Sequence, residues 1–127
     1  EDGPLESTID KKTLFAARRE VLDIYMAENL ETYLLQIIMA TRDPRCLGEE
    51  FAHVLQYGAS PRATIALDRC ARANAWLSGR DFVNPEDIQT LAHDVLRHRI
   101  LLTFEAEAEG MTPDIFITQL LERIPVP

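Results

Sequence analysis

The stretch from Ser60 to Gly79 carries both a start and a stop signal for one helix, and it constrains the fold more than any other part of the chain. Ser60 is a good N-cap, because its hydroxyl can accept from a backbone N–H that has no helical partner. Pro61 suits the first helical position, where its fixed φ is already helical and its missing donor is not needed. Gly79 supplies a left-handed stop after Ser78. Between them Ala63, Leu67, Ala71 and Trp76-Leu77 form a broad apolar surface. Ala63, Ala66, Ala71, Ala73 and Ala75 are small enough to let neighbouring helices approach closely. Asp68 and Arg72 can pair across one turn on the exposed side, worth about 0.2–0.5 kcal/mol.

The rest of the chain supplies the neighbours. Residues 1–8 read as linker, and a first helix over 9–21 is capped by Ser7 or Thr8, with Asp10 in its first turn and Leu14, Ala17 and Val21 as its apolar stripe. Leu22–Tyr25 forms a short extended link whose apolar residues drop into the core. A second helix over 28–42 buries Leu30, Leu34, Ile37 and Ile38, and Asp43-Pro44 ends it. Residues 43–57 form a long loop with a turn around Phe51–Leu55. Asn84 and Pro85 open another helix, which buries Ile88, Leu91, Ala92, Val95 and Leu96. Arg97, His98 and Arg99 sit at its negative end, a sufficient reason for three basic residues in a row. Ile100–Phe104 reads as extended. Acidic Glu105, Glu107 and Glu109 and a break at Gly110 follow, and Thr112-Pro113 begins a last helix with Phe116, Leu120, Leu121 and Ile124 inward. The expected fold is mainly α, a bundle of about five helices with at most a short extended segment or small β element.

At 127 residues one core is expected. Thirteen basic against 21 acidic residues give a net charge of −8, which argues against nucleic acid as a partner. No apolar run approaches the roughly 20 residues that a membrane-crossing helix needs. The chain reads as cytoplasmic, and its start at Glu1 as a piece of a longer protein. Cys46 and Cys70 read as free thiols, and His53, His93 and His98 lack the spacing of a metal site. Asp23, Glu28 and the acids of 105–109 read as solvated charges.

The functional clue is Tyr57-Gly58-Ala59-Ser60-Pro61-Arg62, which places an arginine in a helix's first turn. The partial positive charge there disfavours a cation by roughly 0.3–1 kcal/mol. The same N–H groups attract an anion such as phosphate, which a guanidinium can grip with two hydrogen bonds.

Several motifs stand in order from that turn onward: Gly58-Ala59-Ser60-Pro61-Arg62-Ala63, Ala71-Arg72-Ala73, Gly79-Arg80-Asp81-Phe82-Val83, Pro85-Glu86-Asp87 and Val95-Leu96-Arg97-His98-Arg99. With Ala40-Thr41-Arg42 upstream and the Pro125-Val126-Pro127 ending, the chain from about residue 10 to 127 resembles the C-terminal lid of MoxR-type AAA+ ATPases. The resemblance implies a helical lid over residues 9–127 that packs beside an upstream nucleotide-binding core and closes over ATP. It implies that Arg62 is the sensor-2 residue acting on the γ-phosphate. Ser60 and Ala59 are candidate nucleotide contacts beside it, Ser60 serving chiefly as the cap, while Arg42 and Arg80 are structural ion-pair residues. No metal ligand is expected in this chain. The phosphate loop, Gly-x-x-x-x-Gly-Lys-Ser/Thr, is missing, so Mg-ATP is held mainly by the core, and this piece alone is expected neither to hydrolyse ATP nor to bind it tightly. Other subunits of a hexameric ring and a von Willebrand A-type protein are the implied partners. The alternative, a free-standing helical adaptor that binds a partner through an apolar groove, fits the same amphipathic helices.

Overall fold

Capping side chains and prolines set the helix boundaries in the computed structural model, which describes residues 10–127. The expected linker and the Ser7 and Thr8 caps lie outside the described residues. Asp10 caps α1 (Lys11–Leu22), accepting from the Thr13 N–H at 2.8 Å, so Asp10 precedes this helix and does not lie in its first turn. Helix α2 is Glu28–Arg42, α3 Arg62–Leu77, α4 Pro85–Leu96, α5 Phe104–Ala108 and α6 Pro113–Arg123. Two 3₁₀ turns, Pro44–Leu47 and Glu49–Phe51, follow α2.

Helix α3 ends as its sequence demands. Gly79 takes φ +80°, the Arg80 N–H donates to the Ala75 carbonyl and the Gly79 N–H to that of Trp76, closing the last turn. Asn84 and Asp87 exchange hydrogen bonds around the start of α4, and Thr112 caps α6 through the Ile115 N–H.

The core lies where α2, α3, α4 and α6 meet. Tyr33, Ile37 and Ile38 of α2, Leu67 of α3, Ile88 and Leu96 of α4, and Phe116, Ile117 and Leu120 of α6 are all buried in it. Full burial of each such aliphatic or aromatic side chain is worth roughly 1.5–3 kcal/mol. Ala63, Ala71 and Ala75 of α3 and Ala92 of α4 are equally buried, and these small residues let α3 and α4 pack closely. Phe51, from the second 3₁₀ turn, meets Phe116 edge to face at 6.2 Å.

The mainly α expectation holds, with six α-helices and one small sheet among the described residues. Four details differ. The 43–57 segment contains, besides its 3₁₀ turns, strand β1 (Leu55–Tyr57), which pairs antiparallel with β2 (Leu101–Leu102). The acidic stretch after β2 is helix α5: the Thr103 hydroxyl accepts from the Ala106 N–H, and Gly110 at φ +94° ends the turn. Helix α1 lies on α3 and buries none of its residues: Leu14 is about half exposed, while Ala17 and Val21 are half-buried. Of the link after α1, Ile24 enters the core while Leu22 and Tyr25 stay exposed. The Tyr25 backbone pairs with the chain between α3 and α4, accepting from the Val83 N–H and donating to the Asp81 carbonyl.

The Asp68–Arg72 pair is more than a surface ion pair. Arg72 is largely buried, bonds Asp68 at 3.1 Å and also donates to the Ile24 carbonyl, bracing the α1–α2 link against α3. On the same helix Trp76 is half-buried and donates to Glu20 of α1, whereas Leu77 is exposed and leaves the expected apolar surface.

Candidate functional site

The site is the turn that joins β1 to α3. Gly58 brings its backbone against the last residues of α2: a Cβ added there would stand 2.5 Å from the Thr41 carbonyl carbon, closer still to its oxygen, and 2.8 Å from the Arg42 Cα. Only a residue without a side chain permits that approach. Ala59, fully buried, follows, and α2 holds both of its backbone polar groups. Its N–H donates to the Thr41 hydroxyl at 3.0 Å, and its carbonyl accepts from the Arg42 guanidinium at 3.1 Å. The Thr41 hydroxyl in turn donates to the Ile38 carbonyl at 2.7 Å. Three consecutive groups are thus fixed to one helix end before the chain turns into α3.

Arg62 is the first residue of α3 and is exposed. The helix begins one residue later than its sequence signals suggest, with Pro61 in the helical region just ahead of it. No acidic residue lies in its first turn, and Arg62 has no ion partner among the described residues. The backbone donors of this turn are already engaged. The Arg62 N–H meets the Ser60 hydroxyl at 3.3 Å, the Ala63 N–H the Ser60 carbonyl at 2.9 Å, and the Thr64 N–H the Pro61 carbonyl at 3.0 Å. The anion-binding potential therefore rests on the guanidinium, with the helix dipole as background, more than on free amides.

This geometry sorts the expected site residues. Arg62 can reach outward from a fixed base. Ser60 is the cap. Ala59 is buried with both backbone groups bonded, so its part is to hold the turn and not to touch a ligand. Arg42 belongs to the same structural unit, though by a bond to a carbonyl and not by an ion pair. Thr41, to which sequence reasoning assigned no role, is the central joint. It falls seven residues after Leu34 on the apolar stripe of α2, where a buried hydroxyl must find partners, and that position is the signal.

A second polar centre lies between α3 and α4. Asp87, buried, accepts from both terminal nitrogens of Arg80 at 2.7 Å, from the Asn74 amide at 2.7 Å and from the Asn84 N–H at 2.9 Å. Burial pushes its carboxyl up, but these hydrogen bonds and the Arg80 charge outweigh burial and hold it below the ordinary aspartate range. The hydrogen bond to Asp87 likewise raises the Arg80 guanidinium. Every partner is internal, so this centre is a structural clasp, as expected for Arg80. Arg97 does similar work between α4 and α6 by bonding Asp114 at 3.0 Å, and that bond raises its guanidinium. Cys46 and Cys70 are free thiols. Among the described residues no cluster of His, Cys, Asp and Glu has metal-site geometry, and no helix is long and apolar enough to cross a membrane.

Comparison with known proteins points the same way. A family profile described as "AAA lid domain" matches residues 51–120. The chaperone MoxR1 of Mycobacterium tuberculosis is 38% identical over 99 residues, covering 77% of this chain and 26% of that protein. YeaC of Bacillus subtilis is 34% identical over 123 residues, covering 97% of this chain and 36% of that protein. A crystal structure of a "putative ATPase" from Cytophaga hutchinsonii superposes with a TM-score of 0.88 at 41% identity, over 92% of this chain and 36% of that one. The chain thus spans about a quarter to a third of the length of the curated relatives it matches.

Proposed function

The chain belongs to the AAA lid domain family, on its MoxR side, and from that premise we propose that it closes over ATP held by a nucleotide-binding core of the same parent protein, bringing Arg62 to the γ-phosphate as the sensor-2 residue. The observation that carries this reading is the contrast at the turn: an exposed arginine, unpaired among the described residues, stands on a base fixed by Gly58, Ala59 and Thr41. An ordinary surface arginine needs no such base. A residue that must meet developing charge at a set position does, because phosphoryl transfer depends on positioning and charge stabilisation.

The parent binds Mg-ATP mainly through its core, since the phosphate-loop pattern is missing from this sequence. ATP draws the lid onto the core, and loss of the γ-phosphate releases it, so a local change in charge becomes a rigid-body movement. The clasp at Asp87 and the brace at Arg72 suit a lid that moves as one piece. We place this lid in a cytoplasmic, chaperone-like remodelling machine that assembles as a hexameric ring and works with von Willebrand A-type partners.

The test is nucleotide discrimination by calorimetry. The parent protein is expected to bind a non-hydrolysable ATP analogue more tightly than ADP, and Arg62→Ala is expected to remove that difference. A preference unchanged in the variant overturns the assignment. The 127-residue chain alone is expected to bind ATP very weakly or not at all, and micromolar affinity would show that the site is complete without a core.

A further inference from the structure

Charge is distributed very unevenly over this domain. Helices α1 and α3, which pack on each other, carry seven of the 13 Lys and Arg residues but only two of the 21 acids, Glu20 and Asp68. The remainder of the chain therefore has six cations and 19 acids. Most of the basic layer is also uncommitted. Among the described residues, Lys11, Lys12, Arg18, Arg19, Arg62 and Arg69 make no ion pair; the exception is Arg72, held by Asp68.

Along this layer runs an apolar trough. One groove lies between α1 and α3, another between α2 and α3, and they share Leu22 and Arg69 in their walls, so they form one continuous depression. Leu22, Leu35 and Ile65 line it and stay 57%, 49% and 54% exposed, unusual for three large aliphatic side chains lining one depression. Arg18 lines the groove between α1 and α3, and Arg69 stands where the two grooves join. The acids that line it are Glu31 and Asp68, the second already neutralised by Arg72.

We propose that this trough is a docking site for an acidic amphipathic helix, whose apolar stripe fills the space over Leu22, Leu35 and Ile65 and whose flanking carboxylates meet Arg18 and Arg69. Charge complementarity selects the partner. The basic strip attracts acidic segments and turns basic ones away at close range, where Arg18 and Arg69 are the nearest charges and salt screens the more distant acids. The apolar floor selects a protein helix over nucleic acid, because phosphates gain nothing from three aliphatic side chains. The site is independent of Arg62's proposed role: Arg62 lines neither groove, and no nucleotide is involved.

Fluorescence anisotropy with designed probes tests this. One labelled helical peptide carries leucines at i, i+3, i+4 and i+7 with glutamates elsewhere; a second has lysines in place of the glutamates; the third probe is an oligothymidylate. The chain is expected to bind the glutamate peptide at least about tenfold more tightly than the lysine peptide, with affinity falling as salt is raised. Arg18→Glu/Arg69→Glu should invert that preference, and Ile65→Asp should weaken the glutamate peptide about tenfold, since it removes a central apolar anchor. These side chains are exposed, so melting curves of the variants are expected to match wild type. Equal binding of the two peptides, no binding of the glutamate peptide, a preference unmoved by the double variant, or tighter binding of the oligothymidylate would each overturn the proposal.

Discussion

Gly58→Ala isolates the device that fixes the functional turn. Gly58 does not occupy the left-handed region, so alanine can adopt its backbone angles. Without neighbours, the change would stabilise the domain by roughly 0.4–1 kcal/mol by restricting the unfolded chain. The added methyl instead meets backbone atoms of Thr41 and Arg42, which cannot swing aside as a side-chain end can. Overpacking of this kind costs about 1–3 kcal/mol. If the turn lifts away to relieve it, the bonds from Ala59 to Thr41 and Arg42 lengthen or break, at about 1 kcal/mol each. The net expectation is a loss of about 2–4 kcal/mol, or a fall in Tm of roughly 8–15 °C for a domain of this size. Gly79→Ala is the control: its φ is +80° but nothing lies near the added methyl, so only the cost of a left-handed alanine applies, about 1–2 kcal/mol. Thermal and urea melts of both variants decide the matter. If Gly58→Ala is as stable as wild type, or less damaging than Gly79→Ala, the reasoning about the turn is wrong.

Two further predictions concern the polar joints. Thr41→Val keeps the shape of the side chain but leaves the buried Ala59 N–H without its acceptor, so urea melts should show a loss of about 1–3 kcal/mol. Asp87→Asn should cost about 2–4 kcal/mol at neutral pH, because it removes the charge that Arg80, Asn74 and the Asn84 N–H are arranged around. Because folding lowers the Asp87 pKa, its contribution is fully present above the unfolded aspartate value of about 3.9 and disappears as pH falls through the lower folded value. The Tm difference between wild type and Asp87→Asn should therefore be constant from neutral pH down to about pH 5 and shrink below about pH 4; equal melting temperatures at pH 7 would refute it.

What could be read in advance follows a physical division. The starts of α4 and α6 and the end of α3 were legible because Asn84-Pro85, Thr112-Pro113 and Gly79 act within a few residues of themselves. The buried face of α2 was legible because Leu30, Leu34, Ile37 and Ile38 recur at the helical period over about two and a half turns. Strand β1 was not, since three residues show no period and their partner lies more than 40 positions away at Leu101–Leu102. Helix α5, at five residues, is too short for its period to separate it from an extended run. The exposure of Leu14, Leu22 and Leu77 was hidden for a different reason: an apolar stripe says that a face can be covered, not that this domain covers it. At the candidate site, the turn and Arg62 stood out from helix electrostatics, whereas the joint through Thr41 and the close approach of Gly58 depend on where α2 ends in space.

The central claim is that a fixed turn presents Arg62 to the γ-phosphate of ATP bound elsewhere in the parent protein, and ATP turnover with Arg62→Ala tests it most directly. Arg62 is exposed and has no ion partner among the described residues, so the variant's Tm is expected to stay within about 2 °C of wild type. Its turnover is expected to fall by about 10²-fold, the scale of losing one group that stabilises transition-state charge. Turnover within about twofold of wild type, with the fold intact, would contradict the account, because so small a change is far below what a γ-phosphate contact contributes.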